Sequence, residues 1–109
     1  MRIIRTNIES KVEQYKAMKN AHAVKELPDG FELETQFLHY VDEKEDGKEV
    51  EIISVKGSDG EYYGTNSSTF RQNYLEIIDM FADCDEPFTI VKDSNVSKAG
   101  RAFVFARLA

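Results

Sequence analysis

Along the chain the apolar positions change period several times, and each change marks a new element. Ile8, Val12 and Tyr15 recur at i, i+4 and i+7, one face of a helix. Thr6-Asn7-Ile8-Glu9 has the form of a capping box, in which the Thr6 hydroxyl accepts an amide hydrogen bond and Glu9 reaches back. The pattern fades between Asn20 and Ala23, and Pro28-Asp29-Gly30 predicts a turn. The apolar stripe is thin, so this first helix reads as a peripheral element laid over a sheet, or as an arm against a partner.

From Phe31 the period becomes two. Phe31, Leu33, Thr35, Phe37, His39 and Val41 alternate with Glu32, Glu34, Gln36, Leu38 and Tyr40, predicting a long strand. Asp46-Gly47, within the charged run Asp42 to Lys48, is a hairpin signal leading to a strand over Val50 to Lys56. There the Ile52-Ile53 pair blurs the alternation, as a bulge or burial on both faces would do. Asp59-Gly60 turns the chain into a third strand, Glu61 to Thr65. Ser67, Ser68 and Thr69 are N-cap candidates for a second helix at about 67–82. Phe70, Tyr74, Ile77, Ile78 and Phe81 give it a broad apolar stripe, and Pro87 stops it. Phe88 to Lys92 reads as a fourth strand, Asp93 to Gly100 as a polar loop, and Arg101 to Leu108 as a fifth strand.

The resulting order is helix, three strands, helix, two strands, a mainly β chain. Three meandering strands, a helix and a hairpin are the connectivity of a five-stranded OB-fold barrel, with the wide-striped helix plugging its bottom. The length of 109 residues predicts one domain, with 1–27 as helix or arm and 28–109 as barrel.

Composition removes several function classes. No apolar run spans a bilayer and no signal-peptide pattern is present, so the expected location is cytoplasmic. Cys84 stands alone, excluding an internal disulfide and a cysteine-based zinc site. His22 and His39 belong to no ligand or triad spacing, and the acidic clusters Asp42 to Asp46 and Asp83 to Glu86 lack the spacing of a calcium loop. No nucleophile, base pair or metal set is assembled, so neither an enzyme nor a cofactor is expected. The net charge of −6 argues against a nonspecific duplex binder, whose affinity comes mainly from phosphate neutralisation. That charge is uneven: residues 1–30 sum to +2, 31–88 to −11 and 89–109 to +3.

The last strand carries the chemistry. Arg101, Phe103, Phe105 and Arg107 point one way, and Ala102, Val104, Ala106 and Leu108 point the other. Rings flanked by cations hold unpaired bases, because every base has a π-face and every nucleotide a phosphate. The bland alternative packs both rings under the first helix. Lys92, together with Lys98 in the loop before the strand, predicts a flexible cationic flap, and whichever of Tyr62 and Tyr63 faces outward extends the platform.

Tyr63 to Phe70 with the helix that follows, and Val96-Ser97-Lys98-Ala99-Gly100-Arg101-Ala102-Phe103, resemble small single-stranded DNA-binding proteins of bacteriophages of Gram-positive bacteria. The resemblance covers roughly residues 28–109. It implies an OB-fold and a role in phage DNA replication or recombination, and carries binding roles onto Lys98, Arg101, Phe103 and Tyr63. Unlike cellular counterparts, the chain has no acidic C-terminal tail for recruiting partners. The expectation is a protein that coats single-stranded DNA with little sequence preference, as a dimer or higher oligomer and alongside replication or recombination proteins. The alternative is a protein-binding module that uses the acidic middle against a basic partner.

Overall fold

The computed structural model describes residues 1–109. Its elements are β1 (Arg2–Thr6), α1 (Lys11–Lys19), β2 (His22–Ala23) with a short 3-10 turn (Val24–Glu26), β3 (Phe31–Glu43), β4 (Glu49–Gly57), β5 (Tyr62–Thr65), α2 (Ser68–Met80), β6 (Ile90–Val96) and β7 (Ala102–Leu108). All seven strands belong to one sheet, ordered β2-β5-β4-β3-β6-β7, with β1 attached to β3. The sheet curls into a half-barrel, and the architecture is mixed α/β.

Three elements depart from the sequence expectation. β1 was hidden because Ile3-Ile4 between two arginines shows no alternation; it exists through long-range pairing, Arg2 to Val41 and Thr6 to Leu38. Thr6 therefore ends a strand and does not cap the helix: its hydroxyl donates to the Phe37 carbonyl and accepts from the Ile8 amide. The N-cap is Ser10, whose hydroxyl accepts from the Glu13 amide. β2 is only two residues long and pairs in parallel with β5 at Tyr63 and Gly64, a contact no local pattern announces.

β3 organises the rest. One of its edges pairs with β4, from Phe37 to Glu43 opposite Val55 to Glu49. The other is shared, with β6 opposite Phe31 to Leu33 and β1 opposite Leu38 to Val41. Because side chains alternate, β3 feeds two cores. Leu33 and Phe37 join Ile53, Val55, Tyr63, Phe70, Tyr74, Ile90 and Ala106 on the inner face. Leu38 and Tyr40 join Ile8, Ala17 and Tyr62 on the outer face beneath α1. The Ile52-Ile53 pair follows the same logic without a bulge, Ile53 packing inward and Ile52 against the outer cluster.

α2 begins where expected, the Ser67 hydroxyl accepting from the Phe70 amide. Phe70 and Tyr74 are fully buried, and the Tyr74 hydroxyl donates to the Glu34 carbonyl at 2.7 Å. Burial raises that phenol far above its ordinary pKa, keeping it neutral at physiological pH. Five strands of the sheet and α2 follow the expected run, but β5 and β7 do not pair, so backbone hydrogen bonds do not close the barrel. α2 packs beside β7 instead.

The stripe expected on α1 is also different. Ile8 is buried, but Val12 and Tyr15 are exposed, while Gln14 and Ala17 face the sheet. Ala17 permits close approach to Leu38 and Tyr40, and the Gln14 amide donates to the Ile8 carbonyl at 2.6 Å.

Candidate nucleic-acid interface

β6 and β7 form a hairpin whose register sets the geometry of the outer strip. Phe103 lies opposite Asn95, Phe105 opposite Asp93, and Arg107 opposite Val91. Val104 and Ala106 turn inward to the core, which leaves Phe103 and Phe105 on the outer side. Phe103 is 37% exposed and Phe105 is half-buried. Their ring centroids lie 5.9 Å apart with planes tilted by 38°. α1 covers Leu38, Tyr40 and Tyr62, not these rings, so the alternative that both pack under the first helix is set aside.

The first half of the loop expected from Asp93 to Gly100 is strand. β6 continues to Val96, and only Ser97 to Arg101 turns. The Ser97 amide donates to the Arg101 carbonyl at 2.8 Å and the Gly100 amide to the Ser97 carbonyl at 2.9 Å. Gly100 sits at φ +81°, a left-handed conformation that glycine adopts without steric cost. Lys98 thus lies at the tip of a tight hairpin. Lys98 and Arg101 are exposed and make no ion pair, so both are free for an anion.

The other expected residues divide differently. The Arg107 Nε donates to Asp93 Oδ2 at 2.7 Å, and its guanidinium also reaches the Leu108 carbonyl at 3.0 Å. That pair lowers the Asp93 pKa and neutralises the one carboxylate directly beside Phe105. Arg107 therefore clears a negative charge from the ring surface. Tyr62 and Tyr63 do not extend the platform, because both are buried, Tyr62 in the outer core and Tyr63 in the inner one. Desolvation and the bond to Glu13 push the Tyr62 phenol up to about 12. The bond to Asp59 and desolvation do the same for Tyr63, to about 12.

Lys92 is also inside. It is 4% exposed, and its Nζ donates to the Leu27 carbonyl at 2.7 Å and to Asp29 Oδ1 at 3.0 Å. It shares a face with Ala106, not with Phe105.

The Lys92 ammonium and then the Ser94 hydroxyl hold the Asp29 carboxyl below its ordinary range. A carboxyl with a depressed folded-state pKa contributes stability above its unfolded value of about 4, and loses it as pH falls through the folded value. Asp59, Asp79 and Asp93 are shifted in the same direction. The urea midpoint is therefore expected to hold steady from neutrality to about pH 5 and to drop below about pH 4. Asp29→Asn should show a shallower drop, checked by denaturation curves at matched pH; an equally steep drop would remove Asp29 from the account.

One surface feature escaped sequence reading. A cleft of about 500 Å³ lies between the end of α1, β2 and the β3–β4 hairpin, floored by Met18, Tyr40 and Ile52 and rimmed by His22, Lys25, Lys44 and Asn66. No carboxylate lines it. Its residues come from separate elements and share no spacing, so only the pairing of β2 with β5 brings them together. No cluster of three or more His, Cys, Asp or Glu side chains is placed to hold a metal ion, and no helix is long and apolar enough to cross a membrane.

The β6–β7 hairpin thus carries one exposed ring, a half-buried ring beside it and two cations without ion pairs. The profile of the phage single-stranded DNA-binding proteins of the Phi29 type matches residues 2–109, and the chain belongs to that family of binding proteins. No curated protein and no solved structure matches it.

Proposed function

We propose that this protein coats single-stranded DNA during phage DNA replication or recombination, with little sequence preference, in the cytoplasm of the bacterial host. The outer strip of β7 is the contact surface. Phe103 and Phe105 stack on bases, Lys98 and Arg101 meet phosphates, and Arg107 keeps Asp93 from repelling the strand. The observation that carries this reading is the outward pair Phe103 and Phe105, one ring 37% exposed and the other half-buried, next to two cations without partners. Each ring that stacks contributes about 1–3 kcal/mol, so useful affinity does not need a basic protein.

The run β3-β4-β5-α2-β6-β7 supports an OB-type plan in which the gap between β5 and β7 is left open. One copy of this size covers a short stretch, so coating places many copies along one strand.

Fluorescence anisotropy with labelled oligo-dT tests the proposal. Tight binding that weakens with salt, and much weaker binding to a duplex of equal length, is the expected result. Silence at low salt would overturn it and favour the acidic segment 31–88 as a protein-binding face. Arg101→Ala should lower affinity and reduce the slope of log K against log salt by about 0.7, the share of one phosphate on a single strand. An unchanged slope would take Arg101 off the strand.

A further inference from the structure

Helix α1 leaves part of its apolar surface outside the fold. It buries Gln14 and Ala17 and leaves Val12 65% and Tyr15 60% exposed. The buried side is explained by the close approach to the sheet. Nothing in the fold explains the exposed side: Tyr15 makes no hydrogen bond and no ring contact. One exposed ring is ordinary on a protein surface. Its neighbours are not ordinary for a chain of net charge −6.

Lys11, Tyr15 and Lys19 stand at i, i+4 and i+8, a single stripe roughly 12 Å long at the helical rise, and exposed Lys16 lies beside it. The acidic residue within the helix, Glu13, accepts the Tyr62 hydroxyl at 2.9 Å and pairs with Lys16 at 3.6 Å, which leaves Lys11 and Lys19 without an ion pair. An exposed ring set between two unpaired ammonium groups repeats on a helix what the β6–β7 hairpin presents on a strand.

We propose that this stripe of α1 is a second contact for single-stranded DNA, with Tyr15 stacking on a base and Lys11 and Lys19 meeting flanking phosphates. The proposal rests on the strand-binding reading of the chain and extends it to an element outside the β7 strip. Charge selects the occupant: the unpaired ammonium groups of Lys11 and Lys19 and an exposed ring between them complement a polyanion of flat units. The acidic segment of a second copy is the competing occupant, and the test separates the two.

The chain contains no tryptophan, so Tyr15→Trp installs a single reporter at an exposed position. Its emission should change saturably as oligo-dT is added. Tyr15→Ala should weaken oligo-dT binding about fivefold or more. Lys11→Ala with Lys19→Ala should reduce the salt slope by about 1.4, two phosphates on a single strand. Unchanged emission and slope, with binding still lost in the Phe103 and Phe105 double variant, would overturn the α1 contact and leave the strand-binding reading intact. Emission that responds to protein concentration without DNA, together with self-association in sedimentation that Tyr15→Ala abolishes, would overturn it in favour of a contact between copies. Failure of the unmodified protein to bind oligo-dT would instead remove the reading on which both contacts depend.

Discussion

Replacing both outward rings, Phe103→Ala with Phe105→Ala, is expected to weaken oligo-dT binding by at least about thirtyfold at fixed salt. A stacked base contributes about 1–3 kcal/mol, and about 1.4 kcal/mol is a factor of ten, so two rings at the low end already give that loss. The rings lie 5.9 Å apart, so the two single variants are measured beside the double one to read any coupling between them. The salt slope should remain close to that of the parent, because no cation is removed. Stability should fall only modestly. Phe103 keeps a large exposed area, and Phe105 loses a half-buried ring from the rim of the sheet, not from the cluster around Phe37 and Tyr74. A loss of about 1 kcal/mol would lower the melting temperature by roughly 4–6 °C in a domain of this size. Anisotropy titrations and thermal denaturation on the same preparations decide the matter. A collapsed melting temperature with unchanged affinity would make both rings structural.

How far this surface was legible in the sequence depends on how local its causes are. The alternation of Phe103, Phe105 and Arg107 against Val104 and Ala106 is a property of one strand, and the structure keeps it, whereas Ala102 and Leu108, expected on the inner side, are exposed and Arg101 lies just before the strand. The Ser67 cap and the turns at Gly30, Gly47 and Gly60 are equally local, each turn needing only a few residues and a left-handed glycine. What failed depended on distant partners. Tyr62 and Tyr63 are adjacent, so one ring must point to each face, and reading one of them as exposed assumed that one face was open. α1 closes that face over Tyr62, and α2 with the inner core closes the other over Tyr63. The helix could do this only because Ala17 and not Tyr15 faces the sheet, a choice the weak i, i+4 pattern did not reveal. A second Ser/Thr-x-x-Glu spacing, Ser10 to Glu13, sits four residues after the first and marks the true helix start, with Ser10 as the cap and Glu13 turned to Tyr62 and Lys16.

Lys92 shows the same divide between local pattern and long-range packing, and it yields the second large effect. Its sequence position, at the edge of a cationic segment, suggests a phosphate ligand; its place in the fold makes it a cross-tie. The Nζ bonds the Leu27 carbonyl and Asp29, Asp29 also accepts the Ser94 hydroxyl, and the Gly30 amide donates to the Lys92 carbonyl at 2.7 Å. These bonds fasten the turn before β3 to the first half of β6, the strand on which the outer strip is carried. Lys92→Ala removes a buried aliphatic stem and strands the Leu27 carbonyl without its donor, so it should cost about 2–4 kcal/mol in urea unfolding. Lys92→Met restores the stem but not the donor, and should recover about half of that loss. Measured where each variant remains folded, the slope of log K against log salt should match the parent, in contrast to Arg101→Ala. Full stability with a flattened slope would mean that the ammonium leaves Asp29 to reach the strand. A loss of stability without a change in slope means that Lys92 serves binding only by holding β6 in place.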